Sequence, residues 1–257
     1  MEAEAHPGVP LRVGLFVPCH VDQLWPEVGF AALSLLERAG VEVEFPAAQT
    51  CCGQALLSAG GHAEARALAA RFARVFDGYD AIVAPSASCV AMVRVHYADL
   101  LGEAEAAPLA ARTWELCEFL HGVLRIAPPA HAFPHRVALH AGCHALRELR
   151  LGRPSEGGAA GEDPVRALLS GLAGIELVKL ARADECCGFG GVFSVVEPEV
   201  SCRMGLDRLD DQRAAQAQVV TSSDPSCLLH LAALARRHGR DDVRILHVAQ
   251  ILAGPRT

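Results

Sequence analysis

The sequence predicts an α/β protein of two pseudo-symmetric halves, each a small parallel sheet flanked by helices. Three observations predict it. The stretch Gln49-Thr50-Cys51-Cys52-Gly53-Gln54 returns as Asp184-Glu185-Cys186-Cys187-Gly188-Phe189-Gly190-Gly191. Single cysteines flank each pair in the same order, Cys19 and Cys89 about the first, Cys143 and Cys227 about the second. Short apolar runs alternate with helical patterns through both halves, as βαβ units with parallel pairing require.

In the first half, Leu11-Arg12-Val13-Gly14-Leu15-Phe16-Val17 is mostly apolar and stops at Pro18-Cys19-His20, as a buried parallel strand ending in a loop should. Pro26 suits the first turn of a helix that runs to Gly40, a natural C-terminal stop. Val41-Glu42-Val43-Glu44-Phe45 alternates as a strand and leads into the first Cys-Cys-Gly. A helix follows over residues 62–76, its Ala and Leu at helical spacing. Ala81-Ile82-Val83-Ala84 is a third strand, which Pro85-Ser86-Ala87-Ser88-Cys89 turns into a third helix. Residues 113–124 read as a further helix, and Pro128, Pro129 and Pro134 make residues 127–134 a linker.

The second half repeats the plan. His135-Arg136-Val137-Ala138-Leu139-His140 precedes Cys143-His144, Ile175-Glu176-Leu177-Val178 precedes the second Cys-Cys-Gly, and Gln218-Val219-Val220-Thr221 leads through Ser222-Ser223-Asp224-Pro225-Ser226 to Cys227. The equivalent cysteines lie 124, 135 and 138 positions apart, so the added length falls mainly between the first two landmarks. Residues 152–163, rich in Gly, Ser and Glu, read as an exposed inserted loop there. A length of 257 residues accommodates two domains of about 125 residues each. The repeat places them at 1–128 and 129–257.

Composition narrows the function classes. Hydrophobic content of 51% with 21% charge describes a soluble globular chain, and no run of about 18 apolar residues is present to span a bilayer. Residues 1–7 have neither the basic end nor the apolar run of a secretory signal, so the expected location is cytoplasmic, with no transmembrane segment. In a reducing compartment ten cysteines point to metal or redox chemistry more than to disulfides. A formal net charge of −7 argues against a nucleic-acid partner, which needs a basic surface. Arg66 and Arg71 belong to a solvated helix face. No Gly-x-Gly-x-x-Gly follows a strand, so no dinucleotide site is expected.

Adjacent cysteines in regular backbone do not readily ligate one ion, so each Cys-Cys-Gly is an irregular turn that needs further thiolates. Right-handed crossovers put the strands of each half parallel, with their carboxyl ends at one edge, where ligands of open α/β sheets bind. Topology therefore gathers Cys19, Cys51, Cys52 and Cys89, and separately Cys143, Cys186, Cys187 and Cys227. Cys89 and Cys227 precede helices, whose positive ends favour thiolates. Gly53 and Gly188 open turns closed to other residues, and Gly190 and Gly191 make the second site the one expected to hold its group more tightly. Four thiolates suit Zn²⁺ or an iron–sulfur cluster. The absence of local Cys-x-x-Cys hairpins favours an iron–sulfur cluster over zinc, with the first site expected to be labile or zinc-filled.

Other residues carry weaker signals. Cys117 and Cys202 have no symmetric partner and read as small buried hydrophobes. His20 and His144, each following a cysteine of the set, are either outer-sphere donors or structural histidines. Met92 and His230 stand three residues after Cys89 and Cys227 and could reach the sites. Asp184 and Glu185 read as solvent-facing acids. No catalytic residue is singled out.

Cys-Cys-Gly-Gln, Pro-Ser-x-Ser-Cys, Cys-Cys-Gly-Phe-Gly-Gly-x-Phe-Ser and Thr-Ser-x-Asp-x-Ser-Cys-Leu make the chain resemble the cysteine-rich CCG-domain iron–sulfur oxidoreductases over nearly its whole length. That family takes in the cysteine-rich component of heterodisulfide reductase, the glycolate oxidase iron–sulfur subunit and the lactate-utilisation branch, to which these motifs are most similar. The resemblance implies an electron-transfer subunit with an iron–sulfur cluster of the 4Fe-4S type. It also implies that the subunit acts with two partner proteins in oxidising L-lactate to pyruvate, one of them a ferredoxin-like iron–sulfur protein. In heterodisulfide reductases each motif ends in Cys-x-x-Cys. Here those final positions are Met92 and His230, which is compatible with one four-cysteine site per half. The ferredoxin-type cysteine run of the glycolate oxidase subunit is also missing, so electrons pass to or from another protein. A heterodisulfide- or quinone-linked reductase subunit and a zinc-stabilised scaffold that docks redox partners are the alternatives.

Overall fold

The computed structural model describes residues 11–157, 161–240 and 242–255. The opening residues 1–7 and residues 158–160 of the inserted loop lie outside them. Two compact units divide the chain, Met1–Ile126 and Ala127–Thr257.

The first unit is a four-stranded sheet of β1 (Arg12–Leu15), β2 (Glu42–Glu44), β3 (Ala81–Ala84) and β4 (Thr113–Glu115), in the order β2-β1-β3-β4. Every pair is parallel, with Val13 opposite both Val43 and Ala81, and Ile82 opposite Thr113. The second unit holds β5 (Arg136–Leu139), β6 (Glu176–Leu177), β7 (Val219–Ser222) and β8 (Arg244–His247), in the order β6-β5-β7-β8. Its pairs are parallel as well, with Val137 opposite both Leu177 and Val219, and Val220 opposite Ile245. The α/β class with two pseudo-symmetric parallel-sheet halves is as the sequence predicts.

The helices follow their sequence signals. Pro26 occupies the first position of helix Pro26–Arg38, where its missing N–H has no intrahelical partner to lose, and Gly40 at φ +81° ends the run. Helix His62–Val75 buries Ala65, Ala69 and Phe72 on one face. There Phe72 meets Phe16 edge-on at 5.0 Å, Phe76 at 4.5 Å and Tyr97 at 5.6 Å. These four rings form the centre of the first core.

Each sheet has one strand more than its three cysteine landmarks announce. Residues 113–124 do not begin as a helix: Thr113-Trp114-Glu115 pairs with β3, and helix starts only at Leu116. Glu115 makes the switch, its carboxylate accepting the N–H groups of Cys117 at 2.7 Å and Glu118 at 3.0 Å. His247 does the same after β8, accepting the N–H of Ala249 at 3.1 Å, while Gln250 accepts that of His247 at 2.9 Å. The expected linker is also not free chain throughout. Ala132 bridges Ala173, and Phe133 N–H bonds to the Ala173 carbonyl at 2.8 Å, so the segment is part of the second unit.

The packing predicts that Phe72→Ala, which removes the ring touching three others, destabilises the first unit by ~3–5 kcal/mol. Urea unfolding should show a lowered midpoint with an unchanged slope.

Candidate metal centres

The strand order defines where a ligand belongs. Chain direction along each sheet reverses between β1 and β3, and between β5 and β7, and the crevice at such a switch point opens at the carboxyl ends of the strands. Cys19 follows β1 as the first residue of helix Cys19–Leu24, and Cys89 follows β3 in the first turn of helix Ala87–Ala91. Cys51 and Cys52 arrive in the loop after β2. The second unit places Cys143 after β5, Cys227 in the first turn of helix Pro225–Arg237 after β7, and Cys186 and Cys187 after β6.

Within the first set, Cys19 Sγ lies 3.8 Å from Cys51 Sγ, and Cys52 Sγ lies 3.5 Å from Cys89 Sγ. All ten cysteines are free thiols. The separations exceed a disulfide bond by more than an ångström (about 2.05 Å) and match the ~3.8 Å edge of a thiolate tetrahedron about one ion at ~2.3 Å. In the second set, Cys186 interacts with Cys143 and with Cys187, which in turn interacts with Cys227. Cys187 Sγ, Cys227 Sγ and a ring nitrogen of His140 all lie within 4.8 Å of one another.

The local backbone polarises these sulfurs. Gly53 N–H points at Cys51 Sγ at 3.4 Å, Gly188 N–H at Cys186 Sγ at 3.3 Å, and Phe189 N–H at Cys187 Sγ at 3.5 Å. Cys51 is thereby held far below the ordinary thiol range, chiefly by its bonds with Cys19 and Cys52, with the Gly53 N–H adding to them. Cys186 is lowered in the same way by Cys143 and Cys187. Their neighbours move oppositely: Cys19 and Cys143 are raised by bonding to those thiolates and by burial. Each set thus keeps one sulfur ionised readily and resists ionising the next. A cation is what would let all four ionise together, so the donor chemistry fits zinc or an iron–sulfur cluster.

Gly53 is required by its backbone conformation and Gly188 by both conformation and space. Both have left-handed φ, +90° and +86°, and they face helices His62–Val75 and Pro198–Ala214. A Cβ on Gly53 would sit 3.4 Å from the Ala65 carbonyl oxygen, and one on Gly188 only 2.5 Å from that of Ser201.

The remaining sequence candidates separate. Nδ1 of His20 lies 4.0 Å from Cys19 Sγ, and that of His144 lies 3.6 Å from Cys143 Sγ. Met92 is fully buried at the start of the π-helical turn Met92–His96. His230 bonds Ser201, with its ring 5.9 Å from that of Phe189. Cys117 is buried as expected, but Cys202 is half-buried on helix Pro198–Ala214. Asp184 is not a free surface acid: its side chain is 13% exposed and accepts from Ser155 N–H at 2.8 Å and Arg147 at 3.2 Å. Glu185 pairs with Arg182 at 3.0 Å.

Three residues of the second site escaped the sequence reading. Arg208, fully buried, donates from Nε to His140 Nδ1 at 3.2 Å and from its terminal nitrogens to Asp211 at 3.0 Å, the Ala183 carbonyl at 3.1 Å and the Arg182 carbonyl. Asp211 accepts the N–H groups of Ala181 and Arg182, each at 3.1 Å. The pair therefore anchors the loop just ahead of Cys186. Burial and the neighbouring Arg208 charge push His140 down to about 3, so its ring is neutral. The available signal was symmetry: β5 runs into the polar His140 where β1 runs into Phe16.

Two sets of four thiols at the carboxyl edges of parallel sheets define a cysteine-rich protein equipped for metal or cluster binding. Residues 13–94 and 137–232 each match the cysteine-rich domain, CCG, and the chain belongs to that family. It is 37% identical over 246 residues to "Lactate utilization protein A" of Geobacillus kaustophilus (strain HTA426), covering 94% of this chain and 98% of that one. The protein of that name from Exiguobacterium sp. (strain ATCC BAA-1283 / AT1b) is 37% identical over 247 residues, covering 94% and 96%. "Lactate utilization protein A 2" of Bacillus cereus (strain Q1) is 33% identical over 248 residues, covering 95% and 98%. Among solved structures, glutamate racemase RacE1 from Bacillus anthracis aligns over 96% of this chain and 80% of its own, with a TM-score of 0.35 and 9% identity.

Gly188→Ala should cost more than about 1 kcal/mol of stability and more than Gly53→Ala, because only the former drives Cβ against a carbonyl oxygen. Comparing the two urea midpoints checks this.

Proposed function

We propose that this chain is an iron–sulfur electron-transfer subunit of a complex that oxidises L-lactate to pyruvate. The observation that carries it is the gathering of four free thiols at the switch point of each sheet, together with relatives named for lactate utilisation over nearly their whole length. In this reading Cys19, Cys51, Cys52 and Cys89 hold one centre, and Cys143, Cys186, Cys187 and Cys227 the other. A bound cluster, of the 4Fe-4S type, supplies one-electron transfer.

The chain's own residues insulate and polarise the centres. Cys52, Cys89, Cys187 and Cys227 are buried, while Cys19, Cys51, Cys143 and Cys186 are half-buried, so each set has a dry side and an open side. The open side is where a partner approaches. Tyr97 closes the dry side of the first set, its hydroxyl donating to the Cys52 carbonyl at 3.0 Å. The backbone N–H groups after each pair favour negative charge on sulfur. Oxidation of lactate to pyruvate releases two electrons and two protons, and the protons are left to the subunit that binds lactate. The partners of this reading are that subunit and a ferredoxin-like iron–sulfur protein, in the cytoplasm. Among the described residues no helix is long and apolar enough to cross a membrane.

The sulfur separations of 3.5 and 3.8 Å favour a second reading, a zinc-stabilised scaffold that docks redox partners. Anaerobic purification separates the two: iron with acid-labile sulfide and broad visible absorption supports the first, zinc without colour the second. Cys187→Ser is expected to remove most of the visible absorption and Cys52→Ser less, the reverse order counting against a tighter second site. The subunit alone should not turn over lactate. Mixed with its two partners it should restore lactate-dependent electron transfer, and Cys186→Ala should abolish it with the fold retained by circular dichroism. Turnover by this chain alone, or unchanged turnover with Cys186→Ala, sinks the assignment.

A further inference from the structure

The two units place different chemistry behind equivalent cysteines. Leu15 and Leu139 occupy the same register against β3 and β7. The next residues continue the pairing, Phe16 N–H to the Val83 carbonyl at 2.9 Å and His140 N–H to that of Thr221 at 2.7 Å. Phe16 and His140 are therefore counterparts. The following helices are matched by what faces the paired glycines, Ala65 behind Gly53 and Ser201 behind Gly188. Seven residues further on stand Phe72 and Arg208. An edge-on pair of rings, Phe16 and Phe72, thus becomes a buried imidazole–guanidinium pair.

A guanidinium has donors only and stays protonated. Nδ1 of His140, 3.2 Å from Arg208 Nε, must present its lone pair, so the ring proton resides on Nε2. That atom is buried without a hydrogen-bond partner among the described residues, and a buried donor left unmade is expensive. The ring shares its pocket with Cys187 and Cys227, a ring nitrogen and both sulfurs lying within 4.8 Å of one another. Ligation through Nε2 would require removing its proton. A metal-bound imidazole ordinarily donates its other N–H to a carboxylate or carbonyl, and Arg208 can accept nothing.

We propose that His140 is a fixed N–H donor to the cluster that the sulfur set of the second unit would hold, with Arg208 as the positioning residue that sets its tautomer. The second centre is therefore easier to reduce than it would be without this donor. The inference rests on the iron–sulfur reading of the site. Hydrogen bonds to cluster sulfur stabilise the more negative, reduced state and raise its potential. The step is addition of one electron to the cluster, with His140 keeping its proton in both states. In the first unit the same position offers a phenyl ring and no donor.

The test uses the full chain carrying Cys51→Ser and Cys52→Ser, so that only the second set is intact, loaded anaerobically with ferrous iron and sulfide. Iron and sulfide analysis establishes loading, and a mediated dithionite titration followed by visible absorption gives the potential. His140→Phe should lower the potential by at least the equivalent of a tenfold change in the redox equilibrium, about 59 mV for one electron. His140→Gln, which retains an N–H, should recover most of it. If His140→Phe fails to fold, electron–nuclear double resonance of the otherwise unaltered site carrying ¹⁵N-labelled histidine decides: the weak coupling of a nitrogen held off behind its proton supports the donor, and the strong coupling of a directly bonded nitrogen overturns it. A fully loaded His140→Phe variant with unchanged potential overturns the proposal alone. A chain that takes up no iron and sulfide at either set overturns the iron–sulfur reading and this inference with it.

Discussion

The structure is organised around one constraint in each unit, four sulfurs gathered in a poorly solvated pocket where only one ionises readily. One thiolate in each set is easily formed because its neighbours donate to it, and each further ionisation is opposed by the charge already present and by burial. The surrounding chain supplies partial positive charge where it can do so cheaply, from the backbone N–H groups of Gly53, Gly188 and Phe189 and from the helix starts that carry Cys89 and Cys227. The left-handed glycines serve the same end, since the turns that aim the Gly53 and Gly188 amides back at the sulfurs of Cys51 and Cys186 take positive φ.

Strand order then decides which cysteines meet. Both sheets run edge–first–third–fourth, so the loops after β1 and β3, and after β5 and β7, diverge and leave a crevice. Residues tens of positions apart converge there without local metal-binding hairpins. Family membership and geometry are in accord on this point, because the matched segments 13–94 and 137–232 begin within the first strand of each unit and end in the helical stretch that starts around Cys89 and Cys227.

Much of this was legible in the chain because cysteine spacing and the strand–helix alternation repeat. Ala81-Ile82-Val83-Ala84 was readable as β3 since all four residues are buried and uniformly apolar. Thr113-Trp114-Glu115 was not, because a three-residue strand directly abutting Leu116 and Phe119 shares their helical spacing, and the stop signal is the side-chain cap of Glu115. Arg208 and Asp211 were hidden for a different reason. On an acidic and basic helix they resemble every other surface pair, and only the fold shows that they are inside. Asp184 likewise looked like a surface acid until Ser155, far away in sequence, was seen to donate to it.

That last contact changes what the inserted loop is. Ser155 and Glu156 reach, directly and through Arg147, the residue two positions before Cys186. Added length on a protein surface is ordinarily free to grow, shrink or be cut without effect at a distance. Here the insertion works as a strut against the Cys-Cys-Gly turn, so trimming, lengthening or nicking it would be felt by the sulfurs and not by solvent alone.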